Sequence, residues 1–261
     1  MSLIAALYLL AALAIIRQPD YSFKMSNYSG IVAQRDHYAQ TAHLYDNLHV
    51  QEGDEHYFAL FWMSSLIRMY GIASILDVGS GTGRAIAFLQ KWHPDIKIIG
   101  VEPVVEMRQQ GHKNGIPASV LIDGDAMSLK FSDNEFDMVC EFGALNHMHN
   151  PSKAVSEMLR VGKKAIFISD SNNFGQGSFA SRSIKHLINK LGLWRAYNFL
   201  VTMGKGYHYS EGDGIFYSYS VFNDYQAISQ ACKAVHLTNT RHAAFNLYKT
   251  SSHVALLGLK N

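Results

Sequence analysis

The run from Ser74 to Arg84, Ser-Ile-Leu-Asp-Val-Gly-Ser-Gly-Thr-Gly-Arg, holds the residues best suited to chemistry. Asp77 closes a short apolar run of Ile75, Leu76 and Val78, and Gly79, Gly81 and Gly83 follow at alternate positions with Ser80 and Thr82 between them. Glycines that lead from a strand straight into a helix leave backbone N–H groups bare, and a ligand can approach them closely. A dinucleotide site requires Gly-x-Gly-x-x-Gly/Ala, but the last small position falls on Arg84 or Ile86 here, and neither fits. Glu102 lies nineteen positions after Gly83, at the end of the next apolar run. A carboxylate there can accept hydrogen bonds from both hydroxyls of a ribose, which suits several nucleoside cofactors alike.

These residues need strands and helices to position them. Ile75 to Val78 reads as a buried parallel strand and Arg84 to Trp92 as its helix. Ile96–Val101, Ala118–Ile122, Phe136–Glu141 and Lys164–Ser169 are expected as further strands, with helices over Val104–Asn114 and Pro151–Arg160. The alternation predicts an α/β fold, doubly wound around a mostly parallel sheet, with ligands over the carboxyl ends of the strands. Upstream, helices are expected over Gln34–Asn47 and Glu55–Tyr70, the second packing through Phe58, Phe61, Trp62, Ser65 and Leu66. After residue 170 the pattern breaks into a Gly/Ser/Asn loop, a helix near Ser181–Leu191 and an aromatic segment. Ile184, Leu187, Ile188 and Leu191 form the apolar face expected to close over a substrate. Val221–Ala234 reads as helix, and Val235–Thr240 and His253–Leu259 as two final strands.

Asp-x-Gly-x-Gly-x-Gly after an apolar strand resembles motif I of class I S-adenosylmethionine-dependent methyltransferases. Phe136-Asp-Met-Val-Cys-Glu-Phe-Gly-Ala-Leu-Asn-His-Met-His-Asn-Pro151 is similar to the fourth-strand block of their ubiquinone-biosynthesis-like branch. The resemblance runs over about residues 45 to 170. It implies a seven-stranded Rossmann-like sheet with a terminal antiparallel pair, an inserted cap at about 171–220, and S-adenosylmethionine as cofactor. It also implies that Asp125, followed by the small Ala126, receives the adenine amino group, and it extends the cofactor-binding set to Pro103 and Glu141. Asn146 and Asn150 stand where this branch usually has a histidine and an acid, whereas His147 keeps the second histidine. His147 is the candidate general base for a hydroxyl acceptor, with His149, His208 and His56 as alternatives. The expected activity is methyl transfer to a small molecule through a hydroxyl oxygen; the alternative is an inactive domain that binds the cofactor as a scaffold. No Asn-Pro-Pro-Tyr-like segment follows the fourth strand and no Pro precedes Cys140, which argues against methylation of nucleobases.

Composition narrows the classes further. With 261 residues, 48% hydrophobic and 17% charged, the chain can bury a large core. A net charge of +2 without a long Lys/Arg block argues against nucleic acid as a partner. Two cysteines and thirteen scattered histidines carry neither a disulfide framework nor a metal motif. The expected organisation is an apolar helix and linker over 1–30 and a methyltransferase domain over 31–261. Residues 3–16 are apolar throughout and form about 21 Å of helix, short of a bilayer's roughly 30 Å core. They are expected to attach a cytoplasmic protein to the inner face of a membrane, with Arg17 and Lys24 on the cytosolic side. In the other reading they are a dispensable extension ahead of an internal start at Met25.

Overall fold

The computed structural model describes residues 21–260 except 52 and 242–244, with side chains from Gly30 onward. The expected apolar helix over 3–16 lies outside the described residues. Seven strands form one sheet in the order β3-β2-β1-β4-β5-β9-β8. They are β1 (Ser74–Val78), β2 (Lys97–Val101), β3 (Leu121–Ile122), β4 (Phe136–Phe142), β5 (Gly162–Ser171), β8 (Ala234–Asn239) and β9 (His253–Leu259). The first five run parallel; β9 pairs antiparallel with β5 and with β8. This is the doubly wound, mostly parallel sheet expected from the alternating pattern, with the seven strands and terminal antiparallel pair that the resemblance implies. The order reverses at β1, where β2 lies on one side and β4 on the other, and that is where such sheets bind ligands.

The central strands are apolar on both faces because both are covered. Ile75, Met138 and Phe167 belong to one fully buried cluster, whereas Leu76, Val139 and Ile166 belong to another. Helices α1 (Tyr21–His49) and α2 (Glu55–Met69) both precede the first strand of the sheet. Asp54 caps α2, its carboxylate accepting the amides of His56 and Tyr57 at 2.9 and 2.7 Å. Helices α3 (Arg84–Trp92), α4 (Val105–Lys113) and α5 (Pro151–Val161) connect the parallel strands.

Three expectations need correction. The stretch expected as linker is already helical from Tyr21, and Gly30 does not stop it. Gly30 is a close-packing position: a Cβ there would lie 3.1 Å from the Tyr207 ring and from the Tyr217 hydroxyl. Second, α2 packs through Ala59, Leu60, Met63 and Ile67 with the expected Trp62 and Leu66 beside them, whereas Phe58 and Phe61 are exposed. Phe61 instead meets Phe88 edge-on at 5.0 Å, with Trp92 beyond it, in an aromatic group bridging α2 and α3. Third, the expected helix over 221–234 is a 3-10 turn at Val221–Asp224 followed by the short α8 (Tyr225–Ala231).

The stretch expected as a cap holds α6 (Phe179–Lys190), α7 (Trp194–Val201) and a hairpin of β6 (Tyr207–Ser210) with β7 (Gly214–Tyr217). The apolar face expected to close over a substrate points the other way, because Ile184, Leu187 and Leu191 are exposed while Lys185 faces inward. Among the described residues, no helix is long and apolar enough to cross a membrane.

Candidate active site

The site begins at the carboxyl end of β1. Asp77 lies between Gly100 of β2 and Cys140 of β4 and is buried. Burial pushes its carboxyl up to about 6, against the hydrogen bond from Ser80 and the charge of Arg84. It supports the loop from beneath: the Ser80 hydroxyl donates to its carbonyl at 2.9 Å, and its Oδ1 lies 3.8 Å from Cys140 Sγ. Gly79 has φ +71°, and a Cβ there would sit 2.5 Å from the Cβ of Ala144. A Gly79→Ala variant should therefore lose about 1–3 kcal/mol from strain and overpacking, with a Tm lowered by several degrees in a thermal melt. An unchanged melt would show that the Gly143–Ala144 loop yields freely.

Gly81, with φ +57°, borders a cavity of about 130 Å³. Glu102, Pro103, Asp125 and Ala126 line the same cavity, as does Tyr38 of α1. Glu102 is buried at the end of β2, where its Oε2 accepts the Gly81 amide at 3.1 Å and its Oε1 the Val104 amide at 2.9 Å. Burial pushes its carboxyl up to about 7, opposed by those two amides and by Arg108 and Arg35. Each oxygen keeps a second lone pair, so two ligand hydroxyls can be accepted beside the amides. Asp125 Oδ1 holds the Met127 amide at 2.9 Å, while Oδ2 pairs with Arg35 at 3.2 Å. Both partners of that pair are half exposed, so it is worth at most about 1 kcal/mol, less than a hydrogen bond from a ligand to the carboxylate. Arg35 can thus release Asp125 to an exocyclic amine. The buried Nδ1 of His149, which has no partner, borders the same space. These groups fit a ribose-bearing cofactor with an amino-substituted base.

A second cavity, of about 690 Å³, lies beneath the cap. Tyr38, Tyr45, Phe142, Gly143 and His147 border both spaces and form the wall between them. His147 ends a 3-10 turn after β4, and its Nδ1 lies 2.7 Å from the Ile215 carbonyl on the hairpin. A carbonyl can only accept, so Nδ1 carries the proton and Nε2 keeps the lone pair. Gln34 of α1 holds the hairpin beside it, its amide nitrogen donating to the Asp213 carbonyl at 3.1 Å and its oxygen accepting the Ile215 amide. The same nitrogen lies 3.1 Å from His147 Nδ1, a longer contact than the 2.7 Å to the Ile215 carbonyl to which Nδ1–H donates. Burial holds the His147 imidazole below its ordinary pKa, so it is neutral at physiological pH.

The structure gathers Gly79, Gly81, Glu102, Pro103, Asp125, Ala126 and His147 around the smaller cavity. It does not bring the other expected residues there. Thr82 donates to Asp46, Ser80 faces Asp77, and a Cβ on Gly83 would meet Ile116 at 2.1 Å, so these three shape the loop from behind. Glu141 is fully buried below the following loop, its oxygens taken by the amides of Ala144 and Ser169 at 3.0 and 3.1 Å. Burial and the neighbouring Asp170 raise its carboxyl well above the ordinary range. It braces the wall and touches neither cavity. Of the alternative histidines, His56 and His208 border only the larger cavity and His149 only the smaller. Sequence reasoning missed Gln34, Arg35 and Tyr38 as cavity residues; their one signal is that they open the helix expected over Gln34–Asn47, to which no site role was given.

Residues 76–167 match the family model described as a methyltransferase domain. The chain is 34% identical over 89 residues to a demethylmenaquinone methyltransferase of Roseiflexus castenholzii, covering 34% of this chain and 37% of that protein. An uncharacterized methyltransferase of Schizosaccharomyces pombe is 32% identical over 104 residues, covering 36% and 37%. The chain thus spans little more than a third of the length of these relatives. Among solved structures, a Thermotoga maritima S-adenosylmethionine-dependent methyltransferase, described as a possible histamine N-methyltransferase, shares the fold. It superposes with a TM-score of 0.53 at 16% identity, over 87% of this chain and 99% of that one. The matched segment runs from β1 into β5, so Gly79, Gly81, Glu102 and Asp125 all lie within the stretch that is similar to a methyltransferase domain.

Proposed function

We propose that the protein transfers the methyl group of S-adenosylmethionine to a hydroxyl oxygen of a small molecule seated in the larger cavity. The observation that carries this reading is the position of His147, a neutral imidazole in the wall shared by the two cavities. Bound in the smaller cavity, the cofactor supplies a methyl group on a positively charged sulfur, which needs alignment more than activation. Glu102 holds the ribose and Asp125 the adenine amine, with Gly81 allowing close approach to the backbone. The acceptor oxygen forms its bond to the methyl carbon as the carbon–sulfur bond breaks, and its proton passes to Nε2 of His147. Asn146 Oδ1 and the Tyr217 hydroxyl, both buried without partners and bordering the larger cavity, are placed to orient a polar acceptor.

The carboxylate of Glu102, not its acid form, accepts the ribose hydroxyls. Its pKa in the free protein is raised to about 7, so the binding form is lost as pH falls through that value. Cofactor affinity should accordingly drop about tenfold per pH unit below 7 in calorimetry, and the slope should flatten in Glu102→Gln. The same slope in that variant would remove Glu102 as its source. A crystal structure with S-adenosylhomocysteine tests the assignment of the cavities: the ribose should meet Glu102 and the sulfur should face the wall formed by His147 and Phe142. Binding in any other orientation would refute the reading.

A further inference from the structure

The two cap helices have an inner and an outer face of different chemistry. Lys185, Trp194, Tyr197 and Asn198 turn inward and border the larger cavity. Outward, neither α6 nor α7 has a buried residue. Phe179, Ile184, Leu187, Leu191, Leu200 and Met203 are all more than half exposed, Phe179 to 79% and Met203 to 91%. On α6, Ile184, Leu187 and Leu191 fall on one face at three- and four-residue spacing, and exposed large apolar side chains of that kind mark an interaction site.

The charges in this region say what that site meets. The helical part of the cap, residues 179–201, contains no Asp or Glu; with Lys185 turned inward, Arg182, Lys190 and Arg195 are its outward cations, and the acids Glu211 and Asp213 lie in the turn of the hairpin. A protein-binding patch has a rim of mixed charge, whereas cations of one sign around an apolar helix face match an anionic lipid interface. Gly30 of α1 packs against Tyr207 and Tyr217 of the hairpin that follows these helices, so α1 and the cap are held together.

We propose that the outer face of α6 and α7 docks on an anionic membrane surface. Leu187 and Leu191 enter the acyl boundary, Lys190 and Arg195 meet the phosphates, and the larger cavity lies one helix away from the lipid. This proposal does not depend on which atom is methylated.

Sedimentation of the full chain with lipid vesicles tests it. The protein should pellet with phosphatidylcholine vesicles that contain phosphatidylglycerol, and added salt should release it. On the same vesicles Leu187→Glu with Leu191→Glu should bind at least tenfold more weakly. Lys190→Gln with Arg195→Gln should lose about fivefold for each cation removed. Neither pair borders a cavity, so cofactor affinity by calorimetry should match wild type in both, which also reports that they fold. Three results would overturn the proposal: wild-type pelleting in both variants, which would assign attachment to residues 1–20; equal binding to vesicles of phosphatidylcholine alone; or no binding at all. If the leucine variant fails to fold, the charge variant decides.

Discussion

Glu102→Ala should weaken cofactor binding by about two orders of magnitude or more. Two hydrogen bonds to a charged acceptor are lost, each worth about 1.5–3 kcal/mol, and every 1.4 kcal/mol is tenfold in affinity. The structure adds a second consequence. The Glu102 oxygens also hold the amides of Gly81 and Val104, and truncation leaves both without their acceptor. Leaving buried donors unmet costs roughly 1–3 kcal/mol each, so the variant should also melt earlier. Glu102→Gln separates the effects, because it keeps the volume and one acceptor oxygen. It should bind more tightly than the alanine variant and melt closer to wild type. Calorimetry on folded variants is the measurement, and affinity unchanged in Glu102→Ala would end the assignment.

His147→Ala should lower turnover by roughly 10²–10⁴ while leaving cofactor affinity close to wild type. The split is expected because His147 stands at the boundary of the cavities, away from the carboxylates assigned to ribose and adenine. Burial depresses its pKa, so the lone pair on Nε2 is available throughout the neutral range. At saturating cofactor, where the titration of Glu102 is suppressed, the acid limb of the wild-type kcat profile should consequently fall below the ordinary histidine value of about 6.5 and vanish in the variant. A loss of turnover below tenfold would mean that alignment alone carries the reaction. A parallel loss of cofactor affinity would show that the residue only holds the wall in place.

The parts of this site that could be read in the sequence are those made by neighbours in the chain. A strand that breaks into Gly79, Gly81 and Gly83 determines its own geometry, and Glu102 and Asp125 follow from the next two strand ends. The wall of the larger cavity is different. Gln34 meets the Asp213 carbonyl across 179 positions, and His147 meets Ile215 across 68, contacts with no local pattern. The hairpin that supplies them was overlooked because its strands are four residues each and aromatic on both faces, pairing Tyr207 with Tyr217 and His208 with Phe216. Glu141, which the resemblance added to the cofactor set, differs from Glu102 in position: it is fully buried under the following loop and borders neither cavity, so no ligand reaches its oxygens. The face of α2 was misjudged because large aromatics suggest a core. The sheet accepts the small Ala59 and the flexible Met63 instead, leaving Phe61 to pair with Phe88.

The central claim is that this fold turns over its cofactor. Incubation of the full chain with methyl-labelled S-adenosylmethionine and a small-molecule extract of the cells that make it tests that claim most directly. The account predicts label in a small organic product, released as a methyl ether and strongly reduced with His147→Ala. Tight cofactor binding with no labelled product from such extracts would contradict it and leave a scaffold that holds S-adenosylmethionine without using it.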